Sequence, residues 1–194
     1  MTWIRIGSAL AVLLALAGGA SADEAESRAI AKGRWSLAFS LPDGGGSQLG
    51  VWRMVSGRSN LGLNLGIDHS RETDTIGPDS SRQGEVNQFW TFSIEPSLER
   101  YLVLQRDVSP YVFAALQGSY GWTESSFQKS YSRSATLSFG LGADWTPLES
   151  ISIGAATGIR WRESMRSESA PDAPKQGQSQ FGSVATSLQL HLYF

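Results

Sequence analysis

Two histidines, His69 and His191, are the side chains of this chain best suited to nucleophilic or acid–base chemistry. A Ser-His-acid site needs a serine hydroxyl within hydrogen-bond reach of an imidazole that a carboxylate orients. Ser187 lies four residues before His191, about 13 Å along an extended strand and too far for direct contact. Ser70 follows His69 directly, so the two side chains would point to opposite faces of a strand. The sequence therefore predicts no catalytic residue.

Metal and phosphate sites are not indicated either. The chain has no cysteine and two histidines, and its scattered carboxylates lack the spacing of zinc or calcium ligands. The glycines 44–46 form a turn motif, with no helix after them that could bind a phosphate group. Asp172 and Lys175 are expected to be solvated loop charges. We therefore expect neither a metal ion nor a cofactor.

The charge balance argues against a nucleic-acid partner. The 194 residues include 16 lysines and arginines and 18 aspartates and glutamates, which gives a formal net charge of −2. Proteins that bind nucleic acids usually carry a basic surface that neutralises phosphates. We expect no nucleic-acid partner, and the length suggests one folded domain.

The first 22 residues have the composition of a secretory signal peptide. Arg5 precedes an apolar run over residues 9–17, and the small residues Ala20-Ser21-Ala22 provide a cleavage motif. The apolar run is too short for a membrane-spanning helix. The sequence therefore predicts a signal peptide over 1–22, a polar leader over 23–32 and a folded domain over 33–194.

The rest of the chain consists of segments in which apolar and polar residues alternate, as in β-strands. Each is near the ~9–11 residues that a tilted strand needs to cross a membrane, or longer. Eight segments are predicted, over residues 34–41, 48–56, 61–70, 88–102, 110–123, 134–145, 151–163 and 180–194. Compact links (56–60, 104–110, 146–150) alternate with longer polar links (73–86, 124–133, 164–179), and the short link 42–46 is the exception. Alternating links are typical of strands that run up and down through a membrane.

One face of each segment is apolar, and the other combines small residues with a few polar ones. Between residues 151 and 162, Ile153, Ile159 and Trp161 alternate with Gly154 and Gly158. Glycine weakens a solvent-exposed strand, but it fits the crowded inside of a narrow barrel. The apolar face is therefore predicted to contact lipid and the polar face to line a closed lumen. In the last segment, the polar face comprises Ser183, Ser187, Gln189 and His191.

Charged residues on the polar faces are predicted to form a luminal charge network. A buried charge needs a partner, and both signs are available. The predicted members are Arg53, Glu95, Glu99, Asp144 and Arg160. We expect these side chains to face one another and to plug the lumen.

Tryptophan and tyrosine collect at the two interfaces of a membrane with water. If the chain enters the first strand from the periplasmic side, two aromatic belts are predicted. The periplasmic belt comprises Trp35, Tyr101, Tyr111, Trp145 and Tyr193, and the outer belt comprises Trp90, Trp122 and Trp161.

The signal peptide, the eight alternating segments and the terminal Phe194 together resemble the small eight-stranded outer-membrane β-barrels of Gram-negative bacteria, with their OmpA-type, OmpX-type and OmpW-type members. The stretches 92–102 and 109–122 are similar to the central hairpin common in that group. The resemblance implies an all-β, eight-stranded antiparallel up-and-down transmembrane β-barrel. Ser187, Leu192 and Phe194 match the C-terminal barrel-assembly signal of the group, whereas Gln189 stands where glycine is usual.

The resemblance also implies a location and partners. It places the protein in the outer membrane as a monomer, with 23–32 in the periplasm, inserted by the barrel-assembly machinery. The loops 73–86 and 164–179 are expected to contact lipopolysaccharide or external partners. Outer-membrane lipid is a further expected partner of the protein. We expect a structural or surface-interaction role without catalysis. A lipid A-modifying enzyme and a small-solute channel remain alternatives, although the His-x-Ser pattern of the deacylase barrels is missing from this sequence.

Overall fold

The computed structural model describes residues 30–41, 46–74, 85–104, 107–124, 129–168 and 176–194, with the backbone alone at 72–74, 85–86, 168 and 184–186. The predicted signal peptide, most of the leader and the central parts of the long loops lie outside these ranges. Eight strands are present: β1 Trp35–Leu41, β2 Ser47–Met54, β3 Ser59–Asp74, β4 Glu85–Tyr101, β5 Val108–Glu124, β6 Lys129–Leu148, β7 Ile151–Glu168 and β8 Gln176–Tyr193. Within the described ranges, no helix is long and apolar enough to cross a membrane.

The strands form a closed barrel in which each strand pairs with its sequence neighbours and β8 pairs with β1. All pairs are antiparallel, so the predicted all-β, up-and-down barrel of eight strands is confirmed. The ends of the barrel chain are hydrogen-bonded to each other, because the amide of Phe194 donates to the carbonyl of Trp35 at 3.0 Å. The start of β1 and the end of β8 lie at the same end of the barrel as the short links, which outer-membrane barrels direct to the periplasm.

The outer surface of the barrel is apolar. Leu65, Ile94 and Leu188 are exposed on it, and Leu141 has 59% of its surface exposed. Inside, serine, asparagine and threonine side chains such as Asn64 are buried. A soluble sheet has the opposite arrangement, with its apolar side chains in the core. The barrel is therefore built to span a lipid bilayer, in which its exposed apolar belt is covered by lipid.

Glycines on the luminal face make room for aromatic rings in the narrow interior. A Cβ atom on Gly62 would overlap the indole ring of Trp52, and one on Gly142 would overlap the phenol ring of Tyr111. The small residues of the polar face are therefore explained by large luminal neighbours on adjacent strands.

The wall of the barrel is lower at β1 and β2 than elsewhere. These strands have 7 and 8 residues, whereas β3 to β8 have 16 to 20. The β1–β8 pairing ends at Leu41 and Leu188, and the β2–β3 pairing ends at Ser47 and Ile67. The other strands continue beyond the membrane belt, so parts of the predicted outer loops, such as 129–133 and 164–168, are strand.

A β-bulge in β8 reverses its alternation. Ala156 of β7 pairs with Ser187, but Gly158 pairs with Val184, so β8 contains one extra residue between these pairs. Ser187 therefore belongs to the luminal row, as predicted, whereas Ser183 pairs with the lipid-facing Ile159. The prediction of Ser183 on the luminal face is wrong, because strict alternation does not continue through a bulge.

Candidate functional site

The outer half of the lumen contains a cavity of about 360 Å³, here called the luminal cavity. Its walls carry mainly hydroxyl, amide and charged side chains, with Phe113 and Trp52 among the exceptions. The polar lining includes Ser40, Ser47, Gln48, Asp68, Thr91, Ser93, Glu95, Ser97, Glu99, Gln117, Ser119, Thr136, Ser138, Arg160, Arg162, Ser187 and Gln189. Because the inward residues of eight tilted strands converge on one axis, side chains distant in sequence meet here.

The periplasmic half of the lumen is filled by a group of side chains that we call the tyrosine plug: Ile30, Met54, Tyr101, Tyr111 and Tyr193. All are buried, and they form one packed apolar cluster. The rings of Tyr101 and Tyr111 meet edge to face, with centroids 5.7 Å apart. The plug lies between the luminal cavity and the periplasmic end of the barrel.

Ile30 belongs to the predicted leader, yet it is fully buried. The chain turns back toward the barrel at Gly33, whose φ of +89° is in the left-handed region that favours glycine. The Gly33 amide donates a hydrogen bond of 2.7 Å to the carbonyl of Met54 at the end of β2. This turn holds the end of the leader against the barrel and lets Ile30 complete the plug.

Two buried carboxyl groups, Glu99 and Asp144, lie beside the tyrosines. The hydroxyl of Tyr101 donates a 2.5 Å hydrogen bond to Asp144 Oδ2, and Asn60 Nδ2 donates to Glu99 Oε2 at 3.1 Å. The remaining oxygen of Asp144 and the hydroxyl of Tyr111 have no hydrogen-bond partner among the described residues. The plug is therefore a mixed structure, held by ring packing and by a few buried polar contacts.

Glu95 lies on the wall of the luminal cavity and is held by neutral donors. Asn64 Nδ2 and Ser97 Oγ each donate to Glu95 Oε1 at 3.2 Å. Asn64 is fixed in turn by the indole N–H of Trp52, which donates to Asn64 Oδ1 at 3.0 Å. A chain of hydrogen bonds from β2 through β3 thus orients the Glu95 carboxylate on β4 toward the cavity.

The structure places four of the five predicted network residues in the lumen, but not as ion pairs. Arg160 on β7 lines the luminal cavity together with Glu95 and Glu99. Among the described residues, these luminal charges form no ion pair within 4.0 Å. The ion pair found in the described ranges joins Lys129 and Glu124 at the outer rim. The predicted network is therefore divided: Asp144 lies beside the plug, Glu95 and Arg160 lie on the cavity wall, and Glu99 lies between the two groups.

Arg53 does not belong to the lumen. It is exposed on the outer face, where its guanidinium group lies 5.1 Å from the centroid of the Trp35 ring. The neighbouring Trp52 occupies the luminal position instead. Side chains of consecutive strand residues point to opposite faces, so both could not be luminal. The placement of Arg53 in the charge network is thus corrected.

The outer rim carries a close ion pair. Lys129 Nζ lies 2.6 Å from Glu124 Oε1, and this hydrogen bond raises the pKa of Lys129. Both side chains are exposed beyond the apolar belt, so the pair is a solvated surface contact rather than a site.

The tryptophans of the two predicted belts lie on the outer face. Trp35, Trp145 and Trp161 are exposed there, and Trp90 stacks with Trp122 at a centroid distance of 6.1 Å. Tyr101, Tyr111 and Tyr193, which were predicted in the periplasmic belt, are instead in the plug. Their position could have been found from alternation, because Tyr101 shares a face with Glu99, and Tyr193 shares one with His191.

The geometry around His191 is not that of a hydrolase. Its Nδ1 lies 3.2 Å from the hydroxyl of Ser36, a pairing across the β1–β8 closure that spacing along the sequence could not reveal. Both residues are buried, and the other ring nitrogen meets the amide of Gln189 at 3.3 Å rather than a carboxylate. In the part of the chain that the structure describes, no group of three or more acidic, histidine or cysteine side chains could hold a metal ion.

Comparison with known proteins finds similarity in structure and none in sequence. No family model and no curated protein matches the sequence. The crystal structure of a major outer membrane protein from Thermus thermophilus matches over 83% of this chain and 98% of that chain, with 12% identity and a TM-score of 0.56. The chain has the fold of the small eight-stranded outer-membrane β-barrels.

Two further solved barrels match with lower TM-scores. The N-terminal β-barrel domain of Pseudomonas aeruginosa OprF matches over 83% of this chain and 96% of its own, at 10% identity and a TM-score of 0.48. Ail, the attachment invasion locus protein of Yersinia pestis, matches over 84% and 99% of the two chains, at 14% identity and a TM-score of 0.41.

An outer-membrane barrel is recognised by its closed sheet, its apolar belt and its polar interior, all of which this chain has. These features place the protein in the outer membrane. Within the barrel, Leu192 and Phe194 of the predicted assembly signal are exposed on the outer face, and Ser187 belongs to the luminal row.

Proposed function

We propose that the protein is a non-conducting outer-membrane barrel with a structural or surface-facing role, whose lumen is a cup open to the outside and closed toward the periplasm. The observation that supports this most directly is the tyrosine plug. Its five side chains are buried and packed together across the periplasmic half of the lumen. A solute entering the luminal cavity would meet this layer and could not continue.

The size of the barrel supports the same conclusion. Eight strands enclose an interior that side chains can fill, whereas water-filled porins need about twice as many strands. In this barrel, Trp52 and Met54 from β2, together with the rings of β4, β5 and β8, occupy the available width. A channel would require the plug to move as a unit.

A lipid A-modifying activity finds little support among the described residues. Such an enzyme needs its nucleophile and base where a membrane lipid can reach them. In the described ranges, a serine contacts a histidine at Ser36 and His191, and this contact is buried inside the barrel. Trp52 packs edge-on against the imidazole ring, with the two ring centroids 5.4 Å apart. We therefore favour a role without catalysis.

The proposed surface role places the outer loops in contact with lipopolysaccharide, with the protein acting as a monomer that the barrel-assembly machinery inserts. The long strands β3 to β8 support it, because they extend further outward than β1 and β2. Crosslinking from the predicted loops 73–86 and 164–179 to lipopolysaccharide in intact cells would test this part separately.

The decisive experiment for the closed cup is conductance in planar lipid bilayers. The wild-type barrel should show no stable current steps, whereas Tyr101→Ala combined with Tyr193→Ala should open a path and produce them. Tyr131→Ala, on the exposed outer face, is the matched control and should stay silent. Steady conductance by the wild type would contradict the proposal. The heat-dependent gel shift of folded barrels shows that each variant is folded.

Mass spectrometry of lipid A from cells with and without the protein tests the enzymatic alternative. Unchanged lipid A is expected. A mass change that depends on the protein would replace the proposed role with an enzymatic one.

A further inference from the structure

The luminal cavity has oppositely charged walls. Asp68 of β3 and Glu95 and Glu99 of β4 contribute the acidic wall, and Arg160 and Arg162 of β7 contribute the basic wall. In a barrel of eight strands, β3 and β4 lie across the lumen from β7. The cavity therefore lies between the acidic side chains and the arginines and keeps them from neutralising each other.

Neither wall is neutralised by the described part of the protein. The contacts of Glu95 are with neutral groups, the Asn64 amide and the Ser97 hydroxyl, and Arg160 forms no ion pair within 4.0 Å with a described residue. The Glu95 carboxylate lies on a preformed wall, because Asn64 is held by Trp52. A positioned charge that lacks a counter-charge in a confined space is a binding element for a ligand of opposite sign.

The size and lining of the cavity limit the ligand. A volume of about 360 Å³ is within the range of small-molecule pockets. Many of the remaining lining groups are hydroxyls and amides, which can both donate hydrogen bonds to a ligand and accept them from it. Phe113, directly paired with Glu99 in the β4–β5 register, offers an aromatic ring beside the acidic wall. An ammonium group is favoured next to a carboxylate and an aromatic ring.

We propose that the luminal cavity binds a small zwitterion from outside the cell. Its ammonium group would bind at Glu95 and its anionic group at Arg160, with Arg162 nearer the cavity mouth. This binding role goes beyond that of a closed structural barrel, and it is measured without any current. Failure of the binding test and failure of the conductance test are therefore distinguishable.

Isothermal titration of the folded protein in detergent tests the proposal with simple probes. The ω-amino acids β-alanine, γ-aminobutyrate and ε-aminocaproate vary the separation of the two charges, and n-butylamine and butyrate carry one charge each. At least one ω-amino acid should bind about tenfold more tightly than either singly charged probe, since it gains a second charged contact. No binding by any ω-amino acid, or equal binding by n-butylamine or butyrate, would overturn the proposal.

Charge-removing variants locate the site. Glu95→Gln and Arg160→Gln should each weaken binding of the best ω-amino acid by about tenfold. Glu124→Gln and Arg133→Gln, at exposed positions outside the luminal cavity, are the matched controls and should bind like the wild type. Unchanged binding in both cavity variants would overturn the proposal, as would equal weakening in the controls. Because both cavity variants keep a polar side chain and Glu95→Gln also keeps its length, the heat-dependent gel shift should show that they remain folded.

Discussion

The hydroxyl of Tyr101 on β4 donates a hydrogen bond of 2.5 Å to the carboxylate of Asp144 on β6, reaching past β5. Both side chains are buried, with 1% and 0% of their surface exposed. The contact joins strands that are not neighbours in the sheet, within the periplasmic half of the lumen. It therefore contributes to the stability of the barrel and to the position of the plug at once.

Removing this hydroxyl should destabilise the barrel. In Tyr101→Phe, both oxygens of Asp144 would lack a hydrogen-bond partner among the described residues, and hydrogen bonds to charged groups contribute about 1.5–3 kcal/mol. We expect a loss of that size in the free energy of unfolding, measured by urea titration in lipid vesicles. Tyr131→Phe on the outer face is the control, and an equal loss there would show that the buried contact is not the cause.

A methyl group at Gly142 should be tolerated poorly. A Cβ at this position would overlap the ring of Tyr111, which the plug holds in place, whereas a Cβ at Gly182 would have no described atom within 4 Å. Overpacking of a filled interior typically lowers stability by about 1–3 kcal/mol. Gly142→Ala should therefore unfold at lower urea concentration than the wild type and Gly182→Ala should not, and similar midpoints for both would contradict this packing.

Replacing Glu95 with glutamine should have little effect on the stability of the ligand-free barrel. An ion pair with Arg160 would predict a large loss, because this half-buried luminal arginine would be left without a partner. The structure instead shows two neutral donors, Asn64 and Ser97, and a glutamine oxygen can accept from both. A change below about 1 kcal/mol is expected in unfolding titrations, and a loss of several kcal/mol would restore the ion-pair interpretation.

An arginine at Leu141 tests the orientation of the barrel wall. Leu141 is on the lipid-facing surface of β6, between the aromatic side chains of Trp145 and Phe139. A charged side chain on the lipid face near the bilayer midplane lowers stability by about 2–4 kcal/mol. Leu141→Arg should lose an amount in this range in bilayers, with Leu141→Ala as the reference for lost volume. Equal unfolding free energies of the two variants would place Leu141 away from the lipid.

The alternation in the sequence predicted the eight strands and most of their faces, and the resemblance to small outer-membrane barrels implied the closed barrel. The predictions for Arg53 and Tyr101 are wrong, because the residue type was given more weight than the face of the strand on which the residue lies. The charge of Arg53 indicated the lumen. Its position indicated the outer face, because Arg53 lies two residues after the lipid-facing Val51 on the same strand. The residue type of Tyr101 indicated the membrane interface, where tyrosine is common. Its position indicated the lumen, because Tyr101 lies two residues after the luminal Glu99 on the same strand.

Other features depend on distances that no local pattern contains. The bulge in β8 arises from pairing with β7, so the reversal at Ser183 could not be read from one strand. The Ser36–His191 contact requires the two terminal strands to be neighbours. The burial of Ile30 depends on a turn at Gly33 that folds the end of the leader against the periplasmic end of the barrel. In each case, tertiary pairing decides the side-chain environment.

The central claim is that the lumen is a cup, open outward and closed by the tyrosine plug. Since the chain has no cysteine, single cysteines can report access to a small charged methanethiosulfonate reagent added to intact cells. Ser138→Cys, on the wall of the luminal cavity, should react quickly. Ser152→Cys, fully buried where its side chain meets Tyr193, should react only after the barrel is unfolded. Rapid labelling of Ser152→Cys in the folded protein, or protection of Ser138→Cys, would contradict the closed cup.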